Sequence, residues 1–364
     1  MSAKKRAVAA LAAAAALFLA GCSADDSSDA PASPPAGTAG GGASGGASKR
    51  PDGRKEVPMK GITLPAWNRK DYENPEAKTY LRQIAATGAR WVTFTPTWYQ
   101  DKLTDSGMRP TDETADDDSL RHIVRLAHDA GLKTMIKPHV DLTDDEDRSG
   151  IRPADPDAWF AAYGRFITHY AGLAAETGAE QFSVGTELTG VSRDGDHWKK
   201  TVAAVRARYK GPLTYAANYD EYRDVAFWKS LDLIGIDAYW PLGDKPTADV
   251  ARLREAWQPV VRELAAFSAA QGRRILFTEA GYVSQKGSTT APYSWTVSKS
   301  AGDAEQAAGY EALLAAFEGQ KWWAGVCWWM WDDWPDTGET PKKLAYTPHG
   351  KPAEKVLRKW WGNG

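Results

Sequence analysis

The stretch Gln181-Phe-Ser-Val-Gly-Thr-Glu187 is a short apolar run that ends in Thr-Glu, and Arg274-Ile-Leu-Phe-Thr-Glu279 has the same pattern. Each run has the length and the composition of a buried β-strand. In both runs the polar pair comes at the carboxyl end. The two stretches therefore predict two strands that each place a glutamate at the strand end.

Strand-like runs alternate with helical patterns from residue 60 to the end of the chain. The candidate strands cover 60–65, 91–96, 133–139, 181–187, 213–218, 233–239, 275–279 and 325–331. The candidate helices cover 75–87, 118–130, 157–176, 197–209, 247–271, 303–318 and 353–361, with a weaker pattern at 219–228. Strands that are each followed by a helix predict an α/β fold, the (β/α)8 TIM barrel. An open doubly wound sheet is the alternative, but no Gly-rich phosphate loop follows any strand.

Composition narrows the class of protein. The chain has 364 residues, is 43% hydrophobic and carries a formal net charge of -2, so it can bury a large core and has no basic excess for nucleic acid. It also has 17 Trp, whose flat rings suit both core packing and stacking on sugar faces. We expect packing to be the role of most of them.

The first 22 residues have the pattern of an export signal. A basic segment, Lys4-Lys5-Arg6, precedes an apolar stretch at 7–20 that is too short for a comfortable membrane span. Leu19-Ala20-Gly21-Cys22 resembles a bacterial lipoprotein box. That resemblance implies that Cys22 is lipidated and anchors the protein to the outer side of the cytoplasmic membrane; ordinary secretion is the alternative.

A tether is predicted between the signal and the barrel domain. Residues 23–58 are rich in Ser, Ala, Gly, Pro and Asp and hold too little apolar surface to fold, so the domain is predicted to span 59–364. Within it Cys327 lies in an apolar run and is expected to be a buried small side chain. The sequence indicates neither a disulfide nor a metal cluster.

Polar and aromatic residues gather at the predicted strand ends, where barrel enzymes place their chemistry. They are Trp67, Trp98, Tyr99, His139, Asp141, Glu187, Asn218, Asp237, Tyr239, Trp240, Glu279, Trp331, Asp332 and Asp333. Acids for proton transfer, polar groups for hydroxyls and aromatic platforms are what a carbohydrate site requires.

Glu187 and Glu279 are the candidate catalytic pair. Hydrolysis of a glycosidic bond needs two carboxyl groups on opposite sides of one sugar ring. The alternative is that one or both glutamates are paired with an Arg or Lys as part of the scaffold. A non-catalytic polysaccharide-binding lipoprotein is a second hypothesis, but such a protein has no need of two opposed carboxyl groups.

Four motifs carry a family resemblance: Lys137-Pro-His139, Gly185-Thr-Glu-Leu188, Gly235-Ile-Asp-Ala-Tyr239 and Thr278-Glu-Ala-Gly-Tyr282. Together they resemble glycoside hydrolase family 113 of clan A over about residues 59–361. The resemblance implies a retaining enzyme that acts on β-1,4-linked mannan, with Glu187 as acid/base and Glu279 as nucleophile. Another clan A β-glycosidase, such as a β-glucanase, is the alternative.

One residue departs from the clan pattern. Many clan A enzymes have Asn immediately before the acid/base, where it binds the sugar 2-hydroxyl, whereas this chain has Thr186. The 2-hydroxyl of mannose is axial, so we expect another contact to replace the usual one.

Weaker signals suggest the substrate contacts. His139 is a candidate for a sugar hydroxyl or for holding a carboxylate, with a core histidine as the alternative, and Asn218 is a candidate ligand. Tyr239 is expected to donate to Glu279. Trp331 is predicted to form the floor under the −1 sugar, and Trp67 and Trp98 are further platforms. Trp328 and Trp329 are assigned to packing.

The sequence predicts neither a cofactor nor a metal site. The acidic runs 116–118 and 144–147 lack the spacing of a calcium loop and fit solvated loops or helix caps better. The expected partner is a β-linked polysaccharide or oligosaccharide, and a monomer that meets the membrane only through its lipid is predicted.

Overall fold

The structure, a computed structural model, describes residues 58–334 and 341–362. Ten strands lie within these ranges: β1 Met59–Thr63, β2 Trp91–Phe94, β3 Thr97–Gln100, β4 Lys133–Ile136, β5 His139–Leu142, β6 Gln181–Thr186, β7 Leu213–Asn218, β8 Ile234–Asp237, β9 Ile275–Ala280 and β10 Trp323–Trp328. The α-helices in the same ranges are α1 Ala77–Ala86, α2 Asp117–Asp129, α3 Pro156–Thr177, α4 Gly195–Arg208, α5 Val250–Gln271, α6 Asp303–Phe317 and α7 Pro352–Trp361.

Eight of these strands close into a parallel barrel in the order β1-β10-β9-β8-β7-β6-β4-β2. The ring closes where β1 pairs with both β10 and β2. All carboxyl ends therefore meet on one rim. The predicted (β/α)8 barrel is confirmed, and the rim is where its functional groups belong.

A two-stranded parallel extension was not predicted. β3 pairs with β5 in the register Thr97 with His139, directly above the pair formed by β2 and β4. Pro96 and Pro138 interrupt the longer runs 91–96 and 133–139, because proline has no N–H to donate to the ladder. The extension raises the rim on the side where His139 and Asp141 lie.

The helix predicted from the weak pattern at 219–228 is not present. Turns occupy this segment, followed by a short 3-10 helix at Trp228–Ser230. Glu221, which lies within the segment, is buried and bound instead to the end of β7, where its carboxylate accepts bonds from the Tyr215 hydroxyl and the Asn218 N–H. These tertiary bonds replace the bonds that a helix would make.

Local side-chain and backbone chemistry sets several helix ends. The Asp116, Asp155, Asp194 and Asp249 side chains accept hydrogen bonds from N–H groups in the first turns of α2, α3, α4 and α5. Helix α3 ends at Gly178 with φ of 74°, a left-handed conformation that favours glycine.

The core has two layers. Met59, Met135, Leu276, Ala324 and Cys327 fill the lower barrel interior. Aromatic and aliphatic side chains fill the larger layer between strands and helices, and Trp159, Trp198 and Trp257 are fully buried there. The prediction that Cys327 is a buried small residue is confirmed, and burial raises the pKa of its thiol to about 12.

The predicted signal, Cys22 and nearly all of the predicted tether lie outside the described residues. Among the residues that are described, no helix combines the length and the apolar character needed to cross a membrane.

Candidate active site

Glu187 follows β6 directly and has a left-handed backbone, with φ of 56°. This conformation is uncommon for a residue with a side chain and marks positions that the surrounding structure holds in place. Two bonds hold it: the Glu187 N–H donates to Ala216 O at 2.7 Å, and the Leu188 N–H donates to the Tyr215 hydroxyl at 2.8 Å. The side chain lies at the rim with 19% of its surface exposed, so most of it is buried.

Thr186, the residue in the place of the clan asparagine, is buried just below Glu187. Its hydroxyl donates to Pro138 O at 3.4 Å. The threonine is thus tied to the neighbouring strand end.

Glu279 lies inside β9, where the strand pairing is irregular. On the β8 side the register shifts between Ile236 and Asp237, and Asp237 pairs with Glu279. A β-bulge of this kind re-aims a side chain. Glu279 is buried, with 5% of its surface exposed.

Both carboxylate oxygens of Glu279 accept a hydrogen bond. The fully buried Lys137 ammonium donates to Oε1, and the Tyr239 hydroxyl donates to Oε2 at 2.6 Å. The predicted Tyr239 contact is confirmed. The two donors stabilise the negative charge of the carboxylate.

Lys137 is shared with a second carboxylate. Its Nζ lies 4.0 Å from Oδ2 of Asp237, whose other oxygen accepts the Thr278 hydroxyl at 2.7 Å. Burial lowers the pKa of Lys137, but the charges of Asp237 and Glu279 outweigh it and the pKa is raised. Burial and the neighbouring Glu279 raise the pKa of Asp237 to about 7 against the effect of Lys137. The ammonium therefore stays charged at the centre of the site.

Arg148 bridges Glu187 and Asp141. Its Nη1 donates to Oε2 of Glu187 at 2.8 Å, and its Nε donates to Oδ1 of Asp141 at 2.7 Å. Burial raises the pKa of Glu187 well above its usual range; Arg148 opposes this effect, while Asp237 and Glu279 add to it. The two glutamates are thus in different settings, one with a raised pKa and one held by an ammonium and a hydroxyl.

Trp329, one residue past β10, forms the floor beside these groups. Lys137 Nζ lies 5.7 Å from its ring centroid, and the His139 ring stacks on it at 6.3 Å with 17° between the planes. The peptide bond from Trp329 to Met330 is cis. A Cβ at Gly281 would collide with the Trp329 carbonyl oxygen, so the neighbouring chain needs glycine there.

His139 is buried at the site, and its Nε2 has no hydrogen-bond partner among the described residues. Burial and the charges of Arg148 and Lys137 lower its pKa well below the usual range. A neutral imidazole whose Nε2 has no partner can donate to or accept from a sugar hydroxyl.

The assignment of Trp331 as the floor is wrong. Trp331 is fully buried, and one ring face stacks on His349 at 4.8 Å. Trp329, for which packing was predicted, is the residue that faces His139 and Lys137. The chain leaves the regular strand after Trp328, so strand alternation no longer indicates which side chain points inward.

Two further tryptophans pack against the ring of Trp329. The rings of Trp67 and Trp295 meet the Trp329 ring edge-on, with centroids 6.5 and 6.4 Å away. The Trp67 Nε1–H donates to Asp332 Oδ2 at 3.2 Å. Trp67 therefore lies beside Trp329, and its role as a platform stays a prediction. Trp295 was missed because it lies in a loop, far from any strand end.

Trp98 is not brought to the site. Its ring packs on Phe166, His169 and Tyr170 of α3, with centroids 5.4 to 6.4 Å away. The side chain points outward from the extension strand β3, because alternate residues of a strand face opposite sides. Its role is to pack the extension against the helix.

Asn218 lies on the rim at the end of β7. It is half-buried, and its Nδ2 donates to Thr189 Oγ1 at 3.3 Å, in the loop that follows Glu187. The structure thus brings Asn218 close to the Glu187 loop.

Comparisons with known proteins agree with this geometry. The family model described as Glycoside Hydrolase Family 113 matches residues 65–351. The chain belongs to glycoside hydrolase family 113. No curated protein sequence matches it closely enough to count as a relative.

Solved structures support the assignment. The β-mannanase AaManA of Alicyclobacillus acidocaldarius, from the same family, matches with a TM-score of 0.75 and 29% identity, over 84% of this chain and 97% of that one. A complex of a family 113 β-1,4-mannanase matches with a TM-score of 0.73 and 27% identity, over 84% and 99%. A Ruminococcus gnavus β-glucuronidase shares the fold alone, at 13% identity and a TM-score of 0.57, over 84% of this chain and 50% of that one. The chain is a glycoside hydrolase.

Proposed function

We propose that the chain hydrolyses β-1,4-linked mannan or mannooligosaccharides with retention of the anomeric configuration. Glu279 is the nucleophile and Glu187 is the acid/base. The observation that carries the proposal is the difference between the two settings: Lys137 and Tyr239 hold Glu279, whereas Glu187 has a raised pKa. Two carboxyl groups in such different environments are suited to different roles, one as acid and one as nucleophile. The similarity to solved family 113 β-mannanases supports the mannan specificity.

In the first step a Glu279 oxygen attacks the anomeric carbon while the bond from that carbon to the leaving oxygen breaks. Each Glu279 oxygen accepts one hydrogen bond in the free enzyme and keeps a second lone pair for the attack. Glu187 gives its proton to the leaving oxygen, so the departing sugar leaves as an alcohol.

In the second step Glu187, now ionised, takes a proton from water while the water oxygen attacks the anomeric carbon. The ester bond to Glu279 breaks, and Glu279 becomes a carboxylate again. Arg148, 2.8 Å from Glu187, stabilises the ionised form that this step needs. Arg148 thus favours the ionised form of Glu187, which acts as the base, and burial favours the protonated form, which acts as the acid.

The sugar that is attacked lies against Trp329 in this proposal. The apolar face of a pyranose packs well on an indole ring. His139, stacked against the same tryptophan, offers its unpaired Nε2 to a hydroxyl. We assign to His139 the contact with the sugar 2-hydroxyl that asparagine makes in other clan A enzymes.

The test is hydrolysis of mannan, glucomannan, xylan and cellulose oligomers by the domain that begins near residue 56. We expect mannooligosaccharides to be cleaved fastest, and proton NMR to detect the β anomer of the product first. Faster cleavage of cellooligosaccharides would make the enzyme a β-glucanase. An α anomer formed first would rule out retention.

We also propose that Cys22 anchors the enzyme to the outer side of the cytoplasmic membrane, on the strength of the box at residues 19–22. Mass spectrometry of the mature protein should find a diacylglyceryl group on Cys22, and Cys22→Ser should release the enzyme from the membrane fraction. An unlipidated wild-type protein in the medium would contradict this.

A further inference from the structure

We propose that Tyr219 and Tyr293 form a platform for a sugar ring of the leaving group. We call this pair the tyrosine platform. The inference rests on the proposed function and extends it, because a site for leaving sugars suits an enzyme that cuts within a chain. Nothing in the catalytic steps above uses either residue.

The barrel order divides the rim into two arcs between the glutamates. On one arc lie the ends of β10, β1, β2 and β4, with Trp329 and His139. On the other lie the ends of β7 and β8. A sugar that rests on Trp329 occupies the first arc, so the part of the substrate beyond the broken bond extends toward the second.

The tyrosine platform belongs to this second arc. Tyr219 directly follows β7, and it packs against the cluster that contains Tyr239 and Trp329. The same cluster includes Tyr239, which donates to Glu279. Tyr293 comes from the loop after β9.

The two rings lie nearly parallel. Their centroids are 6.4 Å apart, with 8° between the planes, and the Trp240 ring meets Tyr219 edge-on at 5.6 Å. Tyr293 is 39% exposed and is the one large apolar side chain that is exposed in the described part of the chain. An exposed aromatic ring beside a carbohydrate site has an apolar face available to a pyranose.

The loop that carries Tyr293 is held from several sides. The Tyr346 hydroxyl donates to the carbonyl oxygens of Pro292 and Ser294, the residues on either side of Tyr293. The Gln285 side chain donates to Trp295 O at 2.8 Å and accepts from the Val297 N–H at 2.8 Å.

Glu305 holds the earlier part of the same loop. Its buried carboxylate accepts from the N–H groups of Gly287 and Thr289 at 2.8 and 2.9 Å. An exposed ring on a fixed backbone loses little conformational freedom when a ligand binds. The tyrosine platform is therefore preorganised.

The test compares two substrates with one variant. A mannooligosaccharide such as mannopentaose places sugars on the leaving side, whereas β-mannobiosyl fluoride has only fluoride there. For Tyr293→Ala we expect the ratio of kcat/KM for the oligosaccharide to kcat/KM for the fluoride to fall about tenfold, the effect of about 1.4 kcal/mol of lost stacking. Tyr293→Phe keeps the ring and should keep most of the ratio.

Trp295→Ala is the matched control, because Trp295 lies in the same loop but faces Trp329 on the first arc. It should lower both kcat/KM values together and leave the ratio unchanged. A Tyr293→Ala variant with the wild-type ratio would overturn the tyrosine platform. If the wild type cleaves cellooligosaccharides instead, the proposed substrate is wrong. The ratio of kcat/KM for the oligosaccharide to kcat/KM for the fluoride, measured on those sugars, then tests the tyrosine platform.

Discussion

The hydroxyl of Tyr239 donates a hydrogen bond to Oε2 of Glu279, with 2.6 Å between the two oxygens. The two residues come from neighbouring strand ends, β8 and β9, and are 40 positions apart in the chain. Lys137 donates to the other oxygen from across the barrel. The carboxylate is thus fixed in orientation by two donors of different kinds, which is what a nucleophile that must attack along one direction requires.

Loss of the Lys137 charge should harm catalysis even when no proton is needed by the leaving group. Lys137→Met leaves Glu279 and Asp237 buried without a cation, and breaking a buried pair costs about 3–5 kcal/mol of unfolding free energy. We expect kcat on β-mannobiosyl fluoride, per titrated active site, to fall at least about 100-fold. Lys133→Met, at the exposed start of β4, the strand that precedes Lys137, is the control. Near wild-type turnover in the soluble Lys137 variant would refute the role.

Removal of Arg148 should move the alkaline side of the pH profile upward. Arg148 lowers the pKa of Glu187 against the effect of burial, so Arg148→Met raises that pKa further. The protonated acid then persists to higher pH, and the fall of kcat/KM with rising pH should begin later than in the wild type. Arg152→Met removes a side chain in the same segment that donates to Ser149 O at 3.1 Å, and it should leave the profile in place. A shift toward lower pH would contradict the assignment.

The barrel and the glutamate pair could be predicted because both depend on local pattern. Apolar runs of strand length, the helical patterns between them and the Thr-Glu ends are readable in the sequence. Parallel strand order then brings Tyr239 next to Glu279 without further information. Trp331 was misassigned because the chain becomes irregular after Trp328, and only the fold shows that Trp329 points inward.

The cations at the site could not be predicted. Lys137 and Glu279 are 142 residues apart, and Arg148 is 39 residues from Glu187. No spacing rule connects such pairs, because the contact depends on which side chains cross the barrel and which loop folds over the rim. Trp295 was missed for the same reason. The extension strands were missed because prolines divide runs that otherwise read as single strands.

The two tryptophans after β10 should respond differently to truncation. Trp329→Ala removes the floor beside His139 and Lys137, so kcat/KM should fall sharply while the protein stays folded. Trp331→Ala empties a fully buried site and should cost about 3–5 kcal/mol of unfolding free energy, with activity per folded molecule retained. Urea denaturation and kinetics on the same preparations separate the two effects. Equal losses of stability with no specific loss of activity would show that Trp329 is also a packing residue.

Asp332 should make stability fall as pH rises. Burial raises its pKa to about 7, opposed by the hydrogen bond from Trp67 and helped by Asp333. An unfolded aspartate titrates at about 3.9, so between about pH 4 and 7 the folded state holds a proton that the unfolded state releases. The Asp332 contribution to the free energy of unfolding therefore decreases with rising pH across that window.

Asp332→Asn stays neutral and should make this decline shallower when melting temperature is followed from pH 4 to 8. Asp237, whose pKa is also raised to about 7, contributes with the same sign and remains in the variant. Asp144→Asn, at an exposed position, is the control. A steeper decline in Asp332→Asn than in the wild type would be inconsistent with a protonated Asp332.

Covalent trapping tests the central claim most directly, because it identifies the nucleophile. 2-Deoxy-2-fluoro-β-mannosyl fluoride has a leaving group that needs no proton, and its fluorine at C2 slows hydrolysis of the ester that forms. Incubation should inactivate the enzyme and add one fluoromannosyl group, which tandem mass spectrometry of a proteolytic digest should locate on Glu279. The Glu279→Gln variant should take up no label. A label on another residue, or efficient turnover of natural substrate by Glu279→Gln, would contradict the account.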